Sequence, residues 1–573
     1  MRFPRMTLNS STNGSAEASS EVGASFGATF DEIHGSTYLE RDARDLARLG
    51  KSQVLKRRFG FFSIIGFTCC ILVTWESVLA LFTEAFSNGG PAALAWGFPI
   101  AWVSSLSIYT CLAEMASMAP ISGGQYFWVA ILAPRKYKRF CGYLTVGWLT
   151  SLAWIATLAT GSIFTGTMIQ GLIILNYPSY RPQNIHGTFL AWAVIAVCIF
   201  VNTVVAGLLP LLEGAVLLIH VLGFISILIV LVYLSPHGSA EEVFFRSLNE
   251  GNWPSQSLSY FIGFIGNVAT FVGADAAVHM AEEIENPATN VPRAIVTTVL
   301  LNGGTGWAMV LAVLFCLGDI DSVINTPTGF PFIQVFYNAT GRAGATVMTV
   351  VVIAICWCSV IGFAATASRM TWSFARDCGL PFHRLIRKVH PHTRIPIVAI
   401  AIVTIIPCLL NLIYIGSSTA FNNVISMSVS GLYASYLIPC SFLLWRRITG
   451  QIKPYGSRNE HGAEPDTRQL SLEYDDNSNV LSGNQILEWG PWCLPGYLGI
   501  MNNIYACIFC IWVLFWDFWP PVTPVTAENM NYSVLVTGSV IMFAVARYIL
   551  GGSVDYKGPL VDYDVKNLVH CAN

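Results

Sequence analysis

The chain reads FFSIIGFTCCILVTWE over residues 61–76 and YFIGFIGNVATFVGAD over residues 260–275. Each stretch is apolar, carries glycine near its beginning, and ends on an acid inside a longer apolar segment. A lipid bilayer tolerates interrupted helix only where the freed backbone lines protein or an aqueous cavity. The two stretches therefore predict two broken membrane helices that face the interior of a membrane protein.

The composition of the whole chain agrees with that interpretation. Of its 573 residues, 54% are hydrophobic and 11% are charged, whereas a soluble domain has roughly 25% charged residues. No charged side chain occurs from Ile395 to Trp445, a stretch longer than the about 20 apolar residues that cross a bilayer. The net charge of −2 argues against nucleic acid as a partner, because nucleic acid requires a basic surface.

Twelve apolar segments follow one another along the chain, and we number them spans one to twelve. They form a single domain over residues 56–550, between a cytoplasmic tail over 1–55 and a short cytoplasmic tail over 551–573. The polar first tail and a cytoplasmic loop at about 453–488 are expected to be disordered. The spans lie at roughly 61–86, 92–118, 141–175, 187–207, 211–234, 258–281, 294–317, 344–374, 396–415, 420–445, 494–516 and 533–550.

The distribution of basic residues predicts the orientation. Lysine and arginine concentrate in the connections that share a side with the N-terminus, and cytoplasmic connections of membrane proteins carry that excess. Both termini are therefore expected in the cytoplasm, in the plasma membrane or alternatively the vacuolar membrane. The inner group includes Lys56, Arg57, Arg58, Arg135, Lys136, Arg384 and Arg387, whereas the outer connections hold only Arg181, Arg246 and Arg342.

The position of the two broken spans predicts the fold. Spans one and six each begin a block of five spans, as in transporters built from inverted repeats. We therefore expect an all-α membrane protein with twelve transmembrane helices. Its core would be a five-plus-five inverted repeat with broken helices one and six, plus two extra helices. The oligomeric state is left open.

Two acids within the broken spans are candidates for proton coupling. A carboxylate at the centre of a bilayer costs at least about 2.5–3.5 kcal/mol, so Asp275 must face the bundle interior. There it serves either as a structural acid that binds freed backbone amides or as a site for a substrate cation or a proton. Glu76 presents the same alternatives, further toward the outer half of span one. For His220 a structural role is favoured over a proton relay.

Charged residues at the inner end of span six predict a gate. Glu282 and Glu283 follow the second half of span six and precede Asn286-Pro287, which should end the helix. Basic residues opposite them would close the cytoplasmic path by ion pairing. The candidates are Arg139, Arg369 and Arg376.

Several longer motifs resemble a known family. Residues 114–126 (EMASMAPISGGQY) and 273–283 (GADAAVHMAEE) resemble motifs of spans two and six of the amino acid–polyamine–organocation superfamily. Residues 372–381 (WSFARDCGLP), 390–392 (HPH) and 520–532 (PPVTPVTAENMNY) are similar to its fungal amino acid, choline and GABA permease branch. The resemblance covers about residues 55–550.

The resemblance implies uptake of an amino acid or amine, usually driven by protons, with the substrate between the breaks of spans one and six. A carboxylate would meet backbone amides near Thr68–Cys70, and an amine would meet carbonyls near Phe271–Ala274. Relatives tend to be richer in glycine around the first break, so this chain would have a bulkier wall there. The implied substrate-binding residues are Thr68, Cys69, Cys70, Trp75, Phe271, Val272, Gly273, Ala274 and Asp275.

Three classes of function compete at this stage. The leading one is a secondary active transporter that imports a small amino-containing solute, either a zwitterion such as an amino acid or GABA, or choline or another quaternary amine or polyamine. The second is a nutrient sensor of the same fold. The third, a membrane enzyme, is disfavoured because the spans lack a nucleophile–base or metal-ligand pattern. We expect no cofactor and no metal, with the lipid bilayer, the solute and a proton as partners.

Overall fold

The computed structural model describes residues 42–43, 45–455, 474–475, 480–481 and 487–562. Most of the tail predicted over 1–55, most of the loop predicted at 453–488 and the last residues of the tail predicted over 551–573 lie outside these ranges. The described part is almost entirely helical. Eleven of its helices are long and apolar enough to cross a membrane.

The helices follow the predicted spans in order. Eleven spans correspond to the eleven candidate helices, and the remaining one is span six. Span six is not among the eleven because its helix is interrupted over residues 270–275, so neither piece is long enough. From span one to span twelve the helices are Phe61–Leu72 with Thr74–Ala80, Gly90–Met118, Leu149–Asn176, Asn184–Thr203, Leu209–Leu234, Gln256–Ala269 with Ala276–His279, Pro287–Phe315, Pro331–Arg376, Ile397–Leu410 with Leu412–Gly416, Ser418–Ile448, Gly496–Trp516 and Ser533–Arg547.

Short elements connect the spans. The described strands are two-residue pieces: Ile452–Lys453 pairs in parallel with Leu487–Glu488, and Tyr474–Asp475 pairs antiparallel with Val480–Leu481. The remaining helical pieces are Phe82–Phe86, Gln125–Leu132, Lys138–Cys141, Gly142–Trp148, Ala206–Leu208, Ala240–Phe245, Ala281–Glu283, Ile320–Ile324, His383–Ile386, Tyr548–Gly552 and Ser553–Asp555.

Span one is interrupted, but not where we expected. The helix runs without a break through Thr68–Cys70 to Leu72, and Val73 then adopts a left-handed conformation with φ 34° and ψ 47°. A second helix starts at Thr74. The prediction that the freed amides lie near Thr68–Cys70 was therefore wrong. The expected flexible residue, Gly66, instead allows close packing, because a Cβ there would lie 2.6 Å from the carbonyl oxygen of Glu213 in span five.

The burial of the spans shows which helices surround the centre. Span one is the most buried of the eleven candidate helices, whereas span twelve is mostly exposed. Spans two and seven pack along each other, and span three packs against spans four, eight and ten. Span one packs against spans five, seven and eight, so protein covers most of the broken helix, in line with the requirement that irregular backbone avoid lipid.

The packed part of the chain begins before the boundary that we placed at residue 55. Lys51 and Leu55 are buried, and the ammonium group of Lys51 forms an ion pair with Asp377 just after span eight. At the other end of the chain, the amide of Leu560 donates to the same carboxylate at 3.1 Å. Residues 45–55 and 556–562 therefore form part of the folded domain and meet at one end of the bundle.

Candidate functional site

A central cavity of about 100 Å³ lies beside both helix breaks. Val73 borders it from span one and Val272 from span six, and spans three, eight and ten complete the wall. Among the described residues that line it none is charged, and its polar groups are mainly hydroxyls, including those of Ser77, Thr160 and Ser359. Apolar walls with a few placed polar groups are typical of a site for a small organic solute.

The break in span one is held open by the neighbouring helices. The amide of Thr74 donates to Oδ1 of Asn302 in span seven at 3.2 Å. On the other side, the hydroxyl of Ser359 in span eight donates to the carbonyl of Ile71 at 3.3 Å. These bonds satisfy backbone groups that a continuous helix would have paired within itself.

One tyrosine forms hydrogen bonds with the backbone groups that are left free at the break in span six. The hydroxyl of Tyr109 in span two donates to the carbonyl of Phe271 at 2.6 Å and accepts from the amide of Gly273 at 3.2 Å. Gly273 has φ 113°, a conformation that residues with a side chain rarely adopt. Tyr109 and Gly273 together allow the helix to stop and restart without leaving these two backbone groups unpaired.

Asp275 lies at the centre of a fully buried polar cluster, just beyond this break. Its Oδ1 accepts from the hydroxyl of Tyr436 in span ten at 2.6 Å, and its Oδ2 accepts from the amide of Gln125 at 2.7 Å. Nε2 of His279 lies 3.4 Å from the same Oδ2. Asp275 does not line the central cavity, so its carboxylate is positioned by protein donors rather than presented to that space.

The hydrogen bond of His279 to a carbonyl fixes which ring nitrogen carries a hydrogen. Its Nδ1 lies 3.0 Å from the carbonyl oxygen of Ser122, which only accepts, so Nδ1 carries a hydrogen. Nε2 then faces Asp275 as a bare lone pair unless either the imidazole or the carboxyl holds a further proton. A proton shared between Nε2 and Oδ2 would replace the repulsion between the facing lone pairs with a hydrogen bond.

A second buried acid–imidazole pair lies in the half of span one beyond the break. Oε1 of Glu76 is 2.8 Å from Nδ1 of His220 in span five, and both side chains are fully buried. Trp75 packs its ring against His220 at a centroid distance of 5.9 Å. Neither Glu76 nor Trp75 lines the central cavity.

Ion pairs close the bundle at the end where span one begins, which we call the base. Nε of Arg369 donates to Glu283 at 2.7 Å, and Arg376 donates to both oxygens of Glu282 at 2.9 and 3.0 Å. These four side chains are almost wholly buried. Arg139, the third predicted basic residue, lies instead on an exposed helix at the bundle surface.

The chain before span one is hydrogen-bonded across this closed end. The amides of Arg58 and Phe59 donate to the carbonyl of Glu283 at 2.8 and 3.0 Å. The amide of Glu285 donates back to the carbonyl of Phe59 at 3.0 Å, which forms a short parallel bridge. Opening the base therefore requires movement of span one as well as of the ion pairs.

Of the nine predicted substrate-binding residues, Val272 alone lines the central cavity described above. The side chains of Thr68 and Cys69 already donate hydrogen bonds within the bundle. Thr68 donates to the carbonyl of Ile64, and Cys69 donates to the hydroxyl of Thr298. Cys70, Trp75, Phe271, Ala274 and Asp275 are buried outside the cavity wall, and Gly273 forms the break itself. Their roles in binding stay predictions.

Interrupted helices, a cavity between them and a closed base define the class, a polytopic helical membrane transporter. The chain belongs to the amino acid permease family, whose profile matches residues 59–540. Over 507 residues it is 29% identical to the choline transporter of Saccharomyces cerevisiae, covering 88% of this chain and 83% of that protein. Over 529 residues it is 25% identical to amino-acid permease 2 of Neurospora crassa, covering 91% and 90%. The manganese transporter of Eremococcus coleocola has a TM-score of 0.49 and 13% identity over 89% of this chain and 95% of that one.

Proposed function

We propose that this protein imports a small amino-containing solute by secondary active transport coupled to protons. The observation that carries the proposal is the central cavity, which lies between the broken spans one and six while ion pairs close the base. A solute bound there would have lipid-facing helices around it and a closed gate below it. The solute class that we favour is an amino acid or a GABA-like zwitterion.

The size and lining of the cavity support a small solute. A cavity of about 100 Å³ can hold several water-sized groups, which is enough for a small solute. The hydroxyls of Ser77 and Thr160 can bind an ammonium or a carboxylate without a fixed charge, whereas the Ser359 hydroxyl, which donates to Ile71, can still accept from an ammonium. In this proposal Val73 and Val272 form the apolar floor against the carbon skeleton.

The buried Asp275–His279 pair supports proton coupling. In this proposal the proton is shared between Asp275 and His279, a buried pair that Gln125, Tyr436 and the Ser122 carbonyl hold in position outside the central cavity. Asp275 and His279 both lie in the second half of span six, so a movement of this segment relative to Gln125 and Tyr436 would change the donors around the pair and thus its affinity for the proton. Substrate binding and proton binding would then be linked reciprocally. Glu76 with His220 is the second candidate for this role.

One observation favours a second candidate substrate, a quaternary amine such as choline. The cavity wall includes the rings of Phe164 and Phe363 and, among its described residues, no basic side chain that would bind a carboxylate. Aromatic faces attract quaternary ammonium groups. The similarity to a choline transporter agrees with this alternative.

The proposed orientation places the base in the cytoplasm. The base holds Arg57, Arg58, Arg369 and Arg376, and basic residues accumulate on the cytoplasmic side of membrane proteins. Both termini would then be cytoplasmic, and the plasma membrane is the proposed location. Labelling of engineered cysteines in intact cells tests this, since residues near Thr326–Phe330 should react from outside and those near Ser373–Arg394 should not.

Uptake in a permease-deficient yeast tests the function. Cells that express the chain should accumulate one of a panel of radiolabelled solutes (amino acids, GABA, choline, polyamines), and acidifying the medium should increase the accumulation. Unlabelled competitors then identify the solute class. A surface-expressed protein that binds a solute without accumulating it would instead support the nutrient sensor.

Asp275→Asn separates the roles of the central acid. If Asp275 couples protons, the variant should lose accumulation that depends on pH but keep solute exchange. If it binds the amine, affinity should collapse while the remaining uptake stays dependent on pH. A variant that reaches the surface and shows wild-type uptake with unchanged pH dependence would exclude both roles.

A further inference from the structure

A second cavity, of about 110 Å³, lies at the end of the bundle opposite the base. The two cavities share the apolar residues Leu81, Ala269, Ile425 and Val429, which line both of them. These four side chains therefore lie between the outer space and the central cavity. A solute that enters from this end passes through the second cavity first, and we call it the vestibule.

Asp517 is a buried carboxylate in the vestibule wall, and no charged group compensates it among the described residues. It lies just after span eleven, its residue is 2% exposed, and neither of its side-chain oxygens accepts a hydrogen bond from the described residues. Ser430 is its nearest polar neighbour and offsets only part of the cost of burial, because its hydroxyl also donates to the carbonyl of Ser426 at 2.8 Å. An acid that is buried in this way is unfavourable unless something compensates its charge.

The groups around Asp517 complete a site for a cation. Glu84, from the short helix after span one, lines the same cavity and adds a second carboxylate. Trp516 and Trp519 also line it, with ring centroids 5.1 Å apart. Indole faces attract organic ammonium groups, and carboxylates supply the opposite charge. Small inorganic cations, by contrast, prefer a shell of oxygen ligands without aromatic rings.

We propose that the vestibule is an outer binding site for a small organic ammonium, formed by Asp517, Glu84, Trp516 and Trp519. This inference deepens the proposed function and rests on it in one respect, that the bound ammonium would be the transported solute on its way to the central cavity. The binding itself does not depend on transport. The shared residues Leu81, Ala269, Ile425 and Val429 would be the barrier between the vestibule and the central cavity.

The ionisation of Asp517 makes this binding depend on pH. Burial raises the pKa of the Asp517 carboxyl well above its usual range. The titratable groups that face it are Glu84 across the cavity and Tyr433 in span ten. A cation favours the ionised carboxylate, so it must displace the proton. Binding should therefore strengthen as the pH rises and weaken as the pH falls.

Binding of tetramethylammonium to the purified full-length chain in nanodiscs tests the proposal. The midpoint of thermal unfolding should rise with tetramethylammonium chloride more than with sodium chloride at equal ionic strength, because a ligand of the folded state stabilises it. In Asp517→Asn the concentration for half of the effect should increase about tenfold or more, as expected for the loss of a contact to a charged group. The matched control is Asp321→Asn, which changes an exposed acid outside the vestibule and should respond like the wild type.

The contrary results are distinct from a failure of the proposed function. An unchanged response in Asp517→Asn, an equal effect of sodium, or a response that does not vary with pH would each overturn the vestibule site. Normal uptake together with any of these would leave the transport function standing. If Asp517→Asn does not fold, Trp519→Leu and Glu84→Gln test the site in its place. Each should weaken the effect of tetramethylammonium on the midpoint of thermal unfolding. A wild-type response in both variants would refute the site.

Discussion

The buried pair between Arg369 and Glu283 allows a quantitative test of the gate. Glu283→Gln keeps the size of the side chain and removes its charge, which leaves the guanidinium of Arg369 buried without its partner at 2.7 Å. Removing one partner of a buried ion pair costs about 3–5 kcal/mol. If the pair exists only while the base is closed, that cost falls on the closed state alone. At tenfold per 1.4 kcal/mol, the equilibrium between closed and open base should then shift by about 10²-fold or more.

A natural cysteine reports on this equilibrium. Cys356 lines the central cavity, so a trimethylammonium methanethiosulfonate reagent added outside should reach it while the base is closed and the outer path is open. Inactivation of uptake by this reagent should slow by at least about tenfold in Glu283→Gln, as the closed-base population falls. Cys356→Ser should abolish the inactivation and show that Cys356 is the residue measured.

The charge-reversed pair supplies the control for the gate. Glu283→Arg combined with Arg369→Glu restores opposite charges at the same two positions and should recover much of the wild-type inactivation rate. Glu283→Gln protein that reaches the surface and is inactivated at the wild-type rate would refute the reasoning. The gate would then lie at the Glu282–Arg376 pair or elsewhere.

Two further predictions concern contacts that hold the fold around the path. Tyr109→Phe removes the hydroxyl that donates to the carbonyl of Phe271. The variant should have a free energy of unfolding lower by about 1–3 kcal/mol. Equal thermal midpoints for the variant and the wild type would contradict this prediction. Lys51→Met leaves the buried carboxylate of Asp377 without its cation and should destabilise the protein by about 3–5 kcal/mol. Combining it with Asp377→Leu should recover part of that loss in the same melting assay, whereas an unaltered midpoint in Lys51→Met would show that the ion pair contributes nothing.

The sequence predicted best those features that follow from the high cost of buried charge. Glu282 and Glu283 had to find basic partners, and the few arginines near the inner ends of the spans limited the choice to three. The structure pairs them with Arg376 and Arg369. It leaves Arg139 at the surface, because a charge in a polar connection does not need a partner. The twelve apolar segments were predictable for a related reason, since lipid requires long uncharged helices.

The partners of Asp275 could not be predicted in the same way. Gln125 and Tyr436 lie 150 and 161 residues away along the chain. Each sits in a segment where polar and aromatic residues are common, so nothing in the local pattern distinguishes them. Of the residues around this acid, His279 alone carried a usable signal, because it follows Asp275 by four residues and an i, i+4 pair shares one helix face.

The position of the first break shows why local rules fail at such sites. Glycine is the residue that local reasoning assigns to a left-handed conformation, because it adopts one without steric penalty. Here the left-handed residue is Val73, a β-branched residue for which this conformation costs about 1–3 kcal/mol. Such strain persists only if the surroundings compensate it. Asn302 and Ser359 do so by binding the backbone on either side of Val73. The hinge of span one is therefore set by spans seven and eight, and a change at Asn302 should move or close it even though span one itself is unaltered.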